Sequence, residues 1–158
     1  MVSIKWCIKK KNGLELIEPN KNMSDSYLRM AEESIEVLQI VNKSNIWTAT
    51  SSYYIFYYSL YALMLRIGVK CEIHACSLEF MKLMLNEFYS NVDSSMIHKA
   101  FSARIDLQYY ADRPVEMSII TETKTYSKLF FIKTKDILAR ITEEQIKGIR
   151  SKVKNLNK

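Results

Sequence analysis

"SSYYIFYYSLYALMLRIG", from Ser51 to Gly68, holds five tyrosines, one phenylalanine and a single charge, Arg66. The uncharged run extends back to Ser44. A run of this length admits three readings: a membrane span, an aromatic platform for stacking bases, or the interior helix of a bundle. In a membrane, Ser44, Asn45, Thr48, Thr50, Ser51, Ser52 and Ser59 would all enter lipid. The tyrosine hydroxyls would lie at every depth instead of in an interfacial belt. A buried central helix fits better. Ser52, Ser59 and Ala62 form a stripe of small residues that lets a neighbouring helix approach. Tyr54, Tyr57, Tyr58 and Tyr61 line the adjoining stripe, where buried hydroxyls need partners. Gly68 ends the helix.

Outward from this helix the pattern stays helical. "NMSDSYLRMAEESIEVLQIVNKSN" predicts an amphipathic helix capped by Ser24 or Asp25. Its apolar stripe is Tyr27, Met30, Ala31, Ser34, Val37, Leu38 and Val41. "CEIHACSLEFMKLMLNEFY" predicts another, with Ile73, Cys76, Phe80, Leu83, Met84 and Phe88 inward. "DSSMIHKAFSARIDLQYYAD" follows, capped by Asp93 or Ser94 and stopped at Pro114. "MSIITETKTYSKLFFIKTKDILARI" makes a fifth helix. Thr142 and Gln145 have capping-box spacing ahead of a basic helix with Ile146, Ile149, Val153 and Leu156 on one side. Residues 3–18 read as two short apolar runs around Asn12-Gly13, a hairpin or irregular arm ending at Pro19. The expected architecture is one all-α domain over residues 1–158. It is an up-and-down bundle of four to five main helices, with an N-terminal arm (1–20) and a basic C-terminal helix (142–158).

Composition agrees. Three glycines and two prolines in 158 residues leave few backbone breakers. The three cysteines, Cys7, Cys71 and Cys76, form no CxxC pair. They read as reduced thiols of a soluble cytoplasmic protein. With only two histidines, a zinc site has too few ligands, and no metal or cofactor is expected. The net charge of +6 sits at the ends, with five lysines against two glutamates in residues 1–22 and five basic residues and no acid in 147–158. Such ends either meet phosphate or are solvated termini. Phosphate-loop, dinucleotide, zinc-protease, calcium-loop and nucleophile-elbow motifs are absent.

Polar residues concentrate in "ARIDLQYYAD". Arg104 and Gln108 share one helix face; Asp106 and Tyr110 share another, with Tyr109 between the two in sequence. Arg104 either holds a phosphate or nucleobase-bearing ligand or bonds to the tyrosine seam. His74 opens the helix after Gly68, as a general acid/base, an anion contact or a plain half-buried side chain. His98 lies six residues before Arg104 and need not face the same substrate. The candidate groove is Tyr54, Tyr57, Tyr58, His74, Arg104, Asp106, Gln108 and Tyr109.

Taken in order, Tyr53-Tyr54-Ile55-Phe56-Tyr57, Ala62-Leu63-Met64, Gly68, Lys70 with His74, and Arg104 to Tyr110 resemble the HEPN superfamily. The resemblance spans roughly residues 1–140, and "KWCIKKKNGLELIEPNKN" is similar to an extension of archaeal members. It implies a helical bundle, a homodimer, and a partnership with a minimal nucleotidyltransferase in toxin–antitoxin-like pairs. Catalytic members are metal-independent ribonucleases marked by Arg, four to six residues, then His. No histidine follows Arg104 here. The expectation is therefore a non-catalytic module that binds nucleotide or RNA or partners the nucleotidyltransferase. The alternative is a ribonuclease using His74 and Arg104.

Overall fold

In the computed structural model, which describes residues 2–156, the chain is an all-α bundle. The elements run α1 (Ile4–Lys9), β1 (Glu15–Leu16), α2 (Lys21–Ile40), α3 (Asn45–Ile67), β2 (Val69–Lys70), α4 (His74–Met84), α5 (Asn91–Tyr109), α6 (Met117–Arg140) and α7 (Glu143–Leu156). No helix among the described residues is long and apolar enough to cross a membrane.

The uncharged stretch is α3, and it is the core. Ser44 caps it by accepting from the Trp47 amide. Helices α2, α5 and α6 pack around it, and α4 and α7 touch it more lightly. Within α3 only Asn45, Ile46, Trp47, Tyr54, Tyr58 and Arg66 escape full burial. The interior hydroxyls of Ser52 and Ser59 donate to carbonyls one turn back, those of Thr48 and Ile55, so neither needs an outside partner.

The end of α3 is built from residues far apart in sequence. Gly68 takes a left-handed conformation, φ 86°, and closes the helix onto the Leu65 and Met64 carbonyls. Arg150, from α7, donates through Nη1 to the carbonyls of Ile17 (2.6 Å), Gly68 (3.0 Å) and Ile67 (3.1 Å). A Cβ on Gly68 would lie 2.2 Å from that Nη1 and 2.6 Å from the Ile17 carbonyl oxygen. Gly68→Ala combines φ strain with this clash and should cost at least about 2 kcal/mol in denaturant unfolding.

Several boundaries differ from the sequence reading. The arm is no hairpin of its own. Residues 4–9 are helical, Asn12 turns the chain at φ 62°, and β1 pairs antiparallel with β2, Glu15 opposite Lys70. The pairing partner lies beyond α3, which local turn signals cannot reveal. Helix α2 starts at Lys21, because the Asn20 side chain accepts from the Met23 amide (2.9 Å) before Ser24 or Asp25 can act; Ser24 is buried instead. Met30 and Val37 of its predicted inner stripe are exposed, as is Leu83 of α4. Cys7 and Cys76 are not free thiols: they are joined as a disulfide, and only Cys71 is unpaired.

The cap of α5 also moves, from Asp93 or Ser94 to Ser90. Ser90 and Asp93 form a reciprocal capping box. Asp93 is 1% exposed. Its carboxylate accepts from the Ser90 amide (2.7 Å), the Ser90 hydroxyl (2.8 Å), Lys133 Nζ (2.5 Å) and the Tyr126 hydroxyl (3.0 Å). Burial pushes this carboxyl up, but the Lys133 and Ser90 hydrogen bonds outweigh it and hold it below its usual value. A lowered folded-state pKa means that the stabilisation is complete above the unfolded value and disappears as pH falls through the folded one. Asp93→Ala should therefore lower unfolding stability by about 2–3 kcal/mol at pH 7. In urea unfolding the gap between wild type and variant should close once the pH drops below the usual aspartate range.

Candidate functional site

The site forms where α3, α4 and α5 meet. Successive turns of α3 place Tyr53, Tyr57 and Tyr61 above one another, with Tyr53 and Tyr57 ring centroids 5.9 Å apart and Tyr57 and Tyr61 5.7 Å apart. Tyr54 and Tyr58 form the neighbouring stripe, 5.1 Å apart. The Tyr61 hydroxyl accepts from the Cys71 amide (3.2 Å), fixing the turn that leads into α4.

That turn delivers His74, the first residue of α4, onto the tyrosines. Its imidazole lies parallel to the Tyr57 ring at 3.9 Å between centroids and 2° between planes. Its Nδ1 shares a 2.5 Å hydrogen bond with the Tyr53 hydroxyl. Phe101 of α5 completes the surround, 5.4 Å from Tyr53.

Arg104 reaches the same tyrosines from α5. Its guanidinium sits 5.4 Å from the Tyr53 ring centroid, 5.3 Å from that of Tyr54 and 5.9 Å from that of Tyr109. It donates to the Tyr54 hydroxyl at 3.5 Å, a long bond. No carboxylate among the described residues pairs with it, and its buried Nε has no hydrogen-bond partner. One turn on, Gln108 donates to the Thr50 hydroxyl (2.9 Å).

The electrostatics follow from this packing. Burial first, then the Arg104 charge, push His74 from its usual 6.5 down to about 4. At neutral pH the ring is uncharged. Burial drives the phenols of Tyr53 and Tyr57 well above their usual value, so both stay protonated. The site thus presents one fixed cation among neutral aromatic and hydroxyl groups. That combination suits an anion or a planar ring and is poorly suited to proton transfer at neutral pH.

Of the groove residues read from the sequence, Tyr54, Tyr57, His74, Arg104 and Tyr109 come together. Tyr58 joins through Tyr54, and it also packs against Tyr27 of α2 (5.9 Å). Gln108 is tied to Thr50 at the edge. Asp106 stays apart, paired at 3.3 Å with Arg113, whose guanidinium lies 3.5 Å from the Tyr110 ring centroid. Tyr53 and Phe101 also belong to the site, outside the candidate groove read from the sequence. Tyr53 was legible in principle, since it stands one helical turn before Tyr57.

His98 faces elsewhere. It lines a separate cavity of about 400 Å³ with Val2, Ala75, Leu78, Glu79, Phe101 and Ser102. Its Nδ1 donates to the Ser94 carbonyl (2.7 Å). Among the described residues no three His, Cys, Asp or Glu side chains gather as a metal site.

A lowered histidine pKa means that the packed neutral ring stabilises the fold fully above 6.5, and that this contribution is lost as pH falls from 6.5 through about 4. In a proton NMR titration the His74 ring should shift with a midpoint near 4, and in Arg104→Gln the midpoint should rise, because one of its two causes is gone. The chain matches no protein-family model, no curated protein and no solved structure.

Proposed function

We propose that this protein is a non-catalytic, HEPN-like binding module that takes RNA or a nucleotide where α3, α4 and α5 meet. One observation carries the reading: Arg104 is held among tyrosine rings and, among the described residues, has no acidic partner and no hydrogen-bond partner for its buried Nε. A buried N–H of a guanidinium left without an acceptor costs free energy unless a ligand completes it. A phosphate oxygen supplies the missing acceptor, and the half-buried Tyr54 and exposed Tyr109 rings give a base a stacking surface. The excess of lysine and arginine over acids supports a polyanionic partner.

In the same reading the module works as a homodimer in the cytoplasm beside a minimal nucleotidyltransferase, as one half of a toxin–antitoxin-like pair. The buried disulfide is unusual for a reducing compartment. Hyperthermophilic archaea, whose intracellular proteins are rich in disulfides, are the setting that reconciles the two.

A second reading, a metal-independent ribonuclease, is favoured by one fact: His74 and Arg104 converge on the Tyr53 and Tyr54 rings. Against it stands the state of His74, uncharged at neutral pH and bonded through Nδ1 to Tyr53.

The test measures fluorescence anisotropy of a labelled single-stranded RNA, with cleavage of the same RNA followed in chelator. Arg104→Ala should weaken binding about tenfold with the melting temperature nearly unchanged. Unchanged affinity together with a large fall in melting temperature would overturn the site. Cleavage by wild type that disappears in both His74→Ala and Arg104→Ala would replace the binding reading with the enzyme.

A further inference from the structure

Helix α1 has few means of staying in place. It spans six residues, Ile4–Lys9, too few to persist as a helix alone. Its outer side is exposed, with Trp6 43% exposed and Lys5 and Lys9 in solvent. Its inner side carries one fully buried residue, Cys7, with Ile4 and Ile8 half-buried against the core beside it. That residue is bonded to Cys76, also fully buried, across 69 positions of sequence.

The attachment point matters. Cys76 is the third residue of α4 and His74 is the first, so the bond anchors the same turn that lays His74 on Tyr57. Other links between the arm and the rest of the bundle are the Glu72 amide to the Asn12 carbonyl (2.9 Å), the two-residue β1–β2 ladder, and apolar packing of Ile4, Ile8 and Leu14 against the core. The first turn of α4 has no side-chain cap. The remaining thiol, Cys71, lies buried five residues before Cys76, and burial pushes its pKa up, which makes it a poor thiolate for attacking the bond from inside.

We propose that the Cys7–Cys76 disulfide is a redox latch. Oxidised, it holds α1 against α4 and keeps the His74 turn locked on the tyrosine stack. Reduced, α1 undocks and that turn loosens. The reductant is a dithiol. One of its thiolates attacks a sulfur of the pair and forms a mixed disulfide, releasing the other cysteine as a thiol. The second thiol of the reductant then displaces the first cysteine. Two electrons and two protons end on Cys7 and Cys76, and the reductant leaves as a disulfide. Because both sulfurs are buried, exchange proceeds through local opening of the arm. The latch is independent of which ligand the site takes.

Hydrogen exchange by mass spectrometry on the full chain, oxidised and then reduced with dithiothreitol, tests it. Amides of residues 4–16 and 74–78 should exchange about tenfold faster after reduction, with α6 unchanged. A Cys7→Ala/Cys76→Ala double variant should reproduce the reduced pattern without reductant, which removes Cys71 from the account. Equal exchange in both states overturns the latch. So does faster exchange spread evenly over the chain, which marks a plain structural staple, and so does a count of three free thiols in the purified, unreduced protein.

Discussion

A helix of 23 residues whose uncharged run carries five tyrosines must be covered on nearly every side, and each phenol taken from water needs a partner or a ring to lie against. The rest of the molecule follows from that requirement. Helices α2, α5 and α6 supply the cover, and the hydroxyls dictate the details. Tyr61 takes the Cys71 amide and so fixes the turn into α4; Tyr53 takes His74 and so fixes where α4 begins. The candidate site is therefore continuous with the core. The same stacking that buries Tyr57 immobilises His74, and the same burial that raises the phenols discharges the imidazole.

This continuity bears on chemistry. A general acid or base has to change charge during its work, and a ring packed at 3.9 Å on a tyrosine in a desolvated pocket resists doing so. Arg104 carries its charge irrespective of environment. In the proposed reading the site binds through this one permanent cation, whereas proton shuttling would require the packing around His74 to open.

The bundle was legible because its evidence is local and periodic. The α3 run, the Thr142–Gln145 cap and the Gly68 stop each announce themselves within a few residues. The misplaced starts of α2 and α5 have a common cause: a polar residue a turn earlier, Asn20 or Ser90, competes for the cap, and the winner depends on how the preceding chain approaches. The arm was misread because its strand partner and its disulfide partner both lie on the far side of α3. Within the site, spacing put Arg104 and Gln108 on one helix face and Asp106 on another, yet the candidate groove counted Asp106, which the structure turns toward Arg113. Spacing could not show that Arg104 would lack an acidic partner, since that depends on which carboxylates the fold directs elsewhere.

Arg150 closes the C-terminal turn of α3 from 82 residues further along the chain than Gly68. During synthesis at ~5–20 residues per second, about 4–16 s separate the two. Throughout that interval the carbonyls of Ile17, Ile67 and Gly68 lack their guanidinium and must remain hydrated. The arm and the end of the central helix can therefore reach their final packing only after α7 has left the ribosome. The aromatic face of α3 depends less on that late step, because α2 precedes it and α5 and α6 follow it before Arg150 is made.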